Sequence, residues 1–169
     1  MRDSRLAIAT VAIAAVLGAE QAAARAPSAL VRELVHAPIS DVSTRVAQLS
    51  SSLRSSLAKT FGQQQLYIAD AGQPYQVTDV VVVRPGQREL PFRRLLFAFR
   101  AGTYHVVYYE MGGIGQSVNA VVFAAPDSES CRFVWGGVER DYQRPAKSPA
   151  ALVHRIVRNE LMDHLPFIW

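Results

Sequence analysis

The spacing of apolar positions changes twice along the chain. Between Ser28 and Pro38, Leu30, Val31, Leu34 and Val35 recur at helical spacing, and the proline ends the segment. In the next stretch, SDVSTRVAQLSSSLRSSLAKTFG, Val42, Val46, Leu49, Leu53, Leu57 and Phe61 fall on one stripe with Ser, Arg and Lys opposite. Ser40 has the chemistry of an N-cap and Gly62 that of a C-terminal stop, so one helix is predicted over 40–62. Five serines (Ser50, Ser51, Ser52, Ser55 and Ser56) lower its intrinsic propensity. This helix therefore needs a surface to pack on.

From Leu66 onward the period shortens. The segments LYIAD, YQVTDVVVVR, FRRLLFAFR, TYHVVYYEM, SVNAVVFAA and CRFVWGGVE are rich in Val, Phe, Tyr and Leu. AGQP, PGQRELP, AG, GGIGQ and APDSES separate them with turn chemistry. Connections this short join antiparallel neighbours, because parallel strands need crossovers of a dozen or more residues. They predict a meander of five strands, with Leu66–Asp70 available as a sixth. After RPAKSP the period lengthens again. Ser148 and Pro149 read as an N-cap and first helical residue. Leu152, Val153, Ile156, Val157 and Leu161 form the apolar stripe, and Pro166 marks the expected end. The terminal Phe167, Ile168 and Trp169 are expected to dock on the fold. The predicted fold class is α+β: an N-terminal helix, the antiparallel meander and a C-terminal helix on the sheet, in two layers.

The glycines of YHVVYYEMGGIGQSVNAVVF invite a phosphate-loop reading. Such a loop sits between a strand and a helix, whereas Gly112, Gly113 and Gly115 lie between two strands, and the spacing is incomplete. They predict a tight hairpin with positive φ. Gly136 and Gly137 read as a bulge or a close backbone approach. The strands themselves depart from the alternation of a sheet with one wet face. Val80–Val83, Leu95–Phe99, Val106–Tyr109 and Ala120–Ala125 are apolar on both sides. Either the chain covers both faces or one face forms an apolar binding surface.

The chain opens with Arg2 and Arg5, an uncharged run Leu6–Ala19 and the small residues Ala22–Ala24, the layout of a secretory signal peptide. Residues 1–24 are read as that leader, 25–39 as a segment with a short helix and 40–169 as a single α+β domain. Export to the periplasm or the medium is expected, with no membrane-spanning segment left after cleavage. Cleavage would leave 145 of the 169 residues, enough for one domain that buries most of its unfolded surface. The net charge is +4, from 18 Lys and Arg against 14 Asp and Glu, with the basic residues scattered. The absence of a long basic block argues against a nucleic-acid partner. Cys131 stands alone, so no internal disulfide can form, and it reads as a small buried residue.

Catalytic signatures are missing. His105 and Glu110 are five residues apart and face opposite sides of an ideal strand. Glu160 and His164 stand four apart on the predicted last helix, but a metal would need a third ligand, so neither a metal nor a cofactor is expected. No G-x-S-x-G surrounds Ser117. The sequence is therefore read as a small exported binding protein that uses its sheet. The expected partner is another protein, as for an inhibitor or immunity protein, or an apolar small molecule. Tyr104, His105, Tyr108, Tyr109, Glu110 and Trp135 are the expected contact residues. Two alternatives stand beside it: a small hydrolase-like enzyme built around His105 and Glu110 with Ser117 or Cys131, and a cell-envelope assembly subunit.

Overall fold

The β-branched and aromatic runs between residues 93 and 138 pair in sequence order, each strand lying antiparallel to the next. The computed structural model describes residues 25–79, 89–113, 115–127 and 130–163. Among these, the elements are α1 (Ser28–His36), β1 (Ile39–Ser43), α2 (Ser51–Thr60), β2 (Arg93–Ala101), β3 (Tyr104–Met111), β4 (Ser117–Ala124), β5 (Arg132–Val138), α3 (Pro149–Val157) and β6 (Met162–Asp163). The sheet order is β1-β2-β3-β4-β5-β6, an uninterrupted meander. The α+β class is as expected, with the N- and C-terminal helices packed on an antiparallel sheet. The leader, Val80–Val83 and Phe167–Trp169 lie outside the described residues.

Helices cover both faces of the sheet. Alternate side chains of the central strands separate into two cores. Phe97, Phe99, Val106, Tyr108, Ala120, Val122 and Trp135 pack with Leu30 and Leu34 of α1 and with Leu152 and Ile156 of α3. On the opposite face, Leu95, Ala98, Val107, Tyr109, Val121 and Phe123 pack with Leu49 and with Leu53, Leu57 and Phe61 of α2 or its end. This explains why the strands do not alternate: each face has its own apolar helix, and every large side chain buried this way is worth ~1.5–3 kcal/mol. A register shift between Leu95 and Phe97 turns both Leu96 and Phe97 toward the α1–α3 side.

Three element boundaries differ from the sequence reading, each for a local reason. The predicted helix 40–62 is divided. Residues 39–43 instead pair with β2, with Ile39 opposite Ala101 and Ser40 opposite Arg100. Asp41 has φ 50, which no helix tolerates. The Ser43 hydroxyl donates to the Arg45 carbonyl at 3.0 Å, and Asp70 Oδ1 accepts from Val46 N at 2.6 Å. Such short polar side chains offer the backbone bonds that compete with a helix. The helix proper starts ten residues later, where Ser50 Oγ accepts from Leu53 N at 3.2 Å. Only the second half of the predicted stripe is therefore helical, and Val42 is exposed.

The second difference concerns the predicted early strands. Residues 75–79 form no strand, and Leu66–Asp70 contributes a single parallel bridge, Ala69 to Arg94. The remaining strands come from β1 and β6. The third difference is α3, which stops at Val157. Ser148 caps it as expected, accepting from Ala151 N at 3.2 Å. Asn159 then takes φ 54 and Glu160 N donates to Arg155 O, closing the helix well before Pro166. Glu160 consequently lies beyond the helix, and His164 lies outside the described residues.

The glycines behave as turn and close-approach residues. Met111 pairs with Ser117, so 112–116 is the hairpin loop, and Gly113 has φ 107. A Cβ at Gly112 would run into the Gln76 carbonyl, because residues 76 and 77 pass directly over the turn. Gly137 leaves room for the Trp135 ring, which would lie 2.7 Å from an added Cβ.

Candidate functional site

Both faces being occupied, the expected contact residues do not form one surface. Tyr104, Tyr108 and Trp135 belong to the α1–α3 side and Tyr109 to the α2 side. Tyr108 and Tyr109 are 0% and 1% exposed, so they serve the core. Burial drives both phenol pKa values upward. For Tyr108 the hydrogen bond to Glu139 adds to this, and for Tyr109 the neighbouring Arg93 partly offsets it. Arg93 also stacks over the Phe61 ring at 4.5 Å. Glu110 bonds to Arg94 across the β2–β3 pair, with Nε to Oε2 at 2.7 Å.

Of the four groups of the enzyme alternative, Glu110 and Ser117 lie far from His105. His105 and Glu110 occupy opposite ends of β3, about 17 Å apart along an extended strand. Ser117 lies beside Met111 at the far end of the sheet from His105. Cys131 Sγ sits 3.7 Å from Ser52 Oγ, and the Cys131 carbonyl accepts from Ser56 Oγ at 2.7 Å, which fastens α2 to the start of β5. Among the described residues, no three His, Cys, Asp or Glu side chains are placed to hold a metal ion. None of their helices is long and apolar enough to cross a membrane.

Among the clefts of the described residues, two on the α2 side stand at opposite ends of the sheet. The first, of about 530 Å³, surrounds His105 with Asp41, Gln48, Ser50, Ser52, Arg100 and Asp127. Burial, reinforced by the Arg100 charge, holds the His105 pKa below the ordinary histidine range, while Asp41 opposes the shift. Its lining is mostly polar and exposed to water, and its charges are of both signs.

The second cleft, of about 540 Å³, lies where α2 no longer reaches. Met111, Ser117, Asn119 and Val138 line it from β3, β4 and β5; Met162 adds a wall from β6, and Gly112, Gly115 and Gln116 form the rim. Asn119 faces the α2 side, as Val121 and Phe123 do two and four residues further along β4. It is 0% exposed. Its Nδ2 donates to Ser117 Oγ at 2.9 Å, whereas Oδ1 is buried without a hydrogen-bond partner. Turning the amide over would merely exchange which end is orphaned. Leaving such a group unpaired costs ~1–3 kcal/mol.

A buried polar network supports the cleft from behind. Ala146 N donates to the Tyr108 hydroxyl at 2.8 Å, and that hydroxyl donates to Glu139 Oε1 at 2.6 Å. Arg155 of α3 donates to Glu139 Oε2 at 2.7 Å and to the Arg144 carbonyl at 2.9 Å. Glu139 N in turn donates to Val118 O at 2.8 Å. The chain from Val138 to Arg140 is thus fixed by side chains reaching through from the other core.

The sequence reading missed Asn119, Val138, Arg140 and Met162. One signal was present. Asn119 is a single amide inside the apolar run SVNAVVFAA, and a lone polar residue there must be either paired or used. The other three gain their position only when β5 and β6 close the edge of the cleft. No family model, curated protein or solved structure matches this chain. No residue role can therefore be carried over from a relative.

Proposed function

We propose that this is a non-catalytic binding protein whose ligand is an apolar-bodied small molecule, held at the corner of the sheet that α2 leaves open. The single observation that carries this reading is the orphaned Asn119 amide in a cleft walled by Met111, Val138 and Met162. Apolar walls with one convergent polar group are the usual make-up of a small-molecule site, and the volume lies within the usual range. The reading keeps the sheet as the binding element but moves the contact from the tyrosine-rich centre to its end. The protein acts after export, with residues 1–24 serving as the cleaved leader; N-terminal sequencing of material from the native host checks that step.

Gly115 supplies the test of binding. Its φ lies outside the left-handed region, and an added Cβ would meet nothing within 4 Å, so a large side chain is tolerated at the rim. A neutral naphthylamine dye should gain fluorescence with the purified protein. Gly115→Trp should weaken that binding by at least about tenfold while the thermal unfolding midpoint stays put. Equal dye binding by both proteins would overturn the reading.

A further inference from the structure

We infer that the ligand of this cleft is a small amphiphilic acid, whose hydroxyl completes Asn119 and whose carboxylate pairs with Arg140. The inference rests on the binding reading above and adds the chemical class. At the inner end, the buried amide of Asn119 requires one further polar partner. A hydroxyl both donates and accepts, so it satisfies whichever end of the amide is orphaned.

At the outer end the requirement is set by charge. Two charged residues line the cleft, Glu139 and Arg140. Glu139 is already committed, one oxygen to Tyr108 and the other to Arg155. Arg140 is exposed, and its Nε donates to the Glu160 carbonyl at 3.2 Å. Among the described residues no carboxylate forms a salt bridge with it. Its remaining guanidinium N–H groups can present a fork to an anion, the geometry that matches a carboxylate. The cleft therefore has a neutral polar floor, apolar sides and a cationic mouth.

Spacing sets the length of the ligand. Asn119 pairs with Val138, and Arg140 is two residues further on, so the two anchors start about 7 Å apart along the strand. The reach of the arginine side chain extends that span, so a ligand that meets both anchors has a medium-length apolar chain between its two polar ends. The two methionines can adjust to its exact path, since the thioether side chain fills irregular gaps.

The test titrates the purified protein with 8-hydroxyoctanoate, octanoate and 1,8-octanediol, following backbone amides by NMR. The hydroxy acid is expected to bind tightest and to shift the amides of Gly115–Asn119 and Val138–Arg140. Octanoate, lacking the hydroxyl, and the diol, lacking the carboxylate, should each bind about tenfold more weakly at the same amides. Arg140→Gln, a change at an exposed position, should bring the hydroxy acid down to the affinity of the diol and leave the diol unaffected. Equal affinities of the three probes at the cleft would overturn the assignment of the ligand while leaving cleft binding intact. Shifts confined to other parts of the protein, together with loss of dye discrimination by Gly115→Trp, would overturn both. Dye binding that Gly115→Trp blocks, with none of the three probes shifting the cleft amides, would overturn the amphiphilic-acid class alone.

Discussion

Replacing Arg155 by Met tests whether the buried network holds the wall of the cleft. Glu139 has a side chain only 4% exposed and lies 2.7 Å from the Arg155 guanidinium, which is itself 27% exposed. Removing the cation leaves a buried carboxylate with the Tyr108 hydroxyl as its remaining side-chain donor. Breaking a buried pair from one side costs about 3–5 kcal/mol. Water reaches the arginine side of this pair, so the lower end, about 3 kcal/mol, is expected. With a urea slope of about 1–3 kcal/mol per molar, the midpoint should fall by about 1–3 M. Replacing both partners by apolar residues, as in the double variant Arg155→Met with Glu139→Leu, removes the stranded charge as well. That variant should recover much of the loss, because a buried ion pair is worth little against hydrophobic isosteres. Urea unfolding followed by circular dichroism measures both. An Arg155→Met protein within about 0.5 kcal/mol of the parent, the range of an ordinary surface change, would refute the reasoning. So would a double variant whose loss is the sum of the two single ones.

The remaining predictions follow from the two clefts. Asn119→Leu removes the orphaned amide, a gain of ~1–3 kcal/mol, and loses the Ser117 bond, a cost of ~0.5–1.5 kcal/mol; a net stabilisation of about 1 kcal/mol is expected in urea unfolding, and a destabilised variant would show that the amide is there for structure. At His105, burial and Arg100 favour the neutral ring in the folded state, so the unfolded chain takes up the proton first as pH falls. Stability should therefore be flat above the ordinary histidine value near 6.5 and decline just below it, and His105→Gln should flatten that part of the curve, as read by thermal unfolding at a series of pH values. An unchanged slope in the variant would assign the effect to other groups.

The chain dictates much of this structure locally. The four central strands were legible because their β-branched and aromatic runs are bounded by turn residues, and the short connections left antiparallel pairing as the only option. The start of α3 was legible from Ser148 and Pro149, and the GGIG turn from its position between strands. These features depend on steric and hydrogen-bond rules that act over a few residues. The apolar stripe Leu49, Leu53, Leu57 and Phe61 likewise announced a helix face in need of a sheet.

Other features depend on groups that meet only after the chain has closed. Residues 39–43 become a strand because β2 presents an open edge and because Ser43 and Asp70 supply competing bonds; a stripe count over 40–62 contains neither fact. Where along the α2 face the cleft opens could not be read either, since both faces carry the same kind of residue. The ten-residue length of α2 decides it, by ending its cover before Asn119. Local patterning thus set the elements and their pairing, whereas the cleft exists because four strands, a loop and a short helix leave one buried amide unanswered.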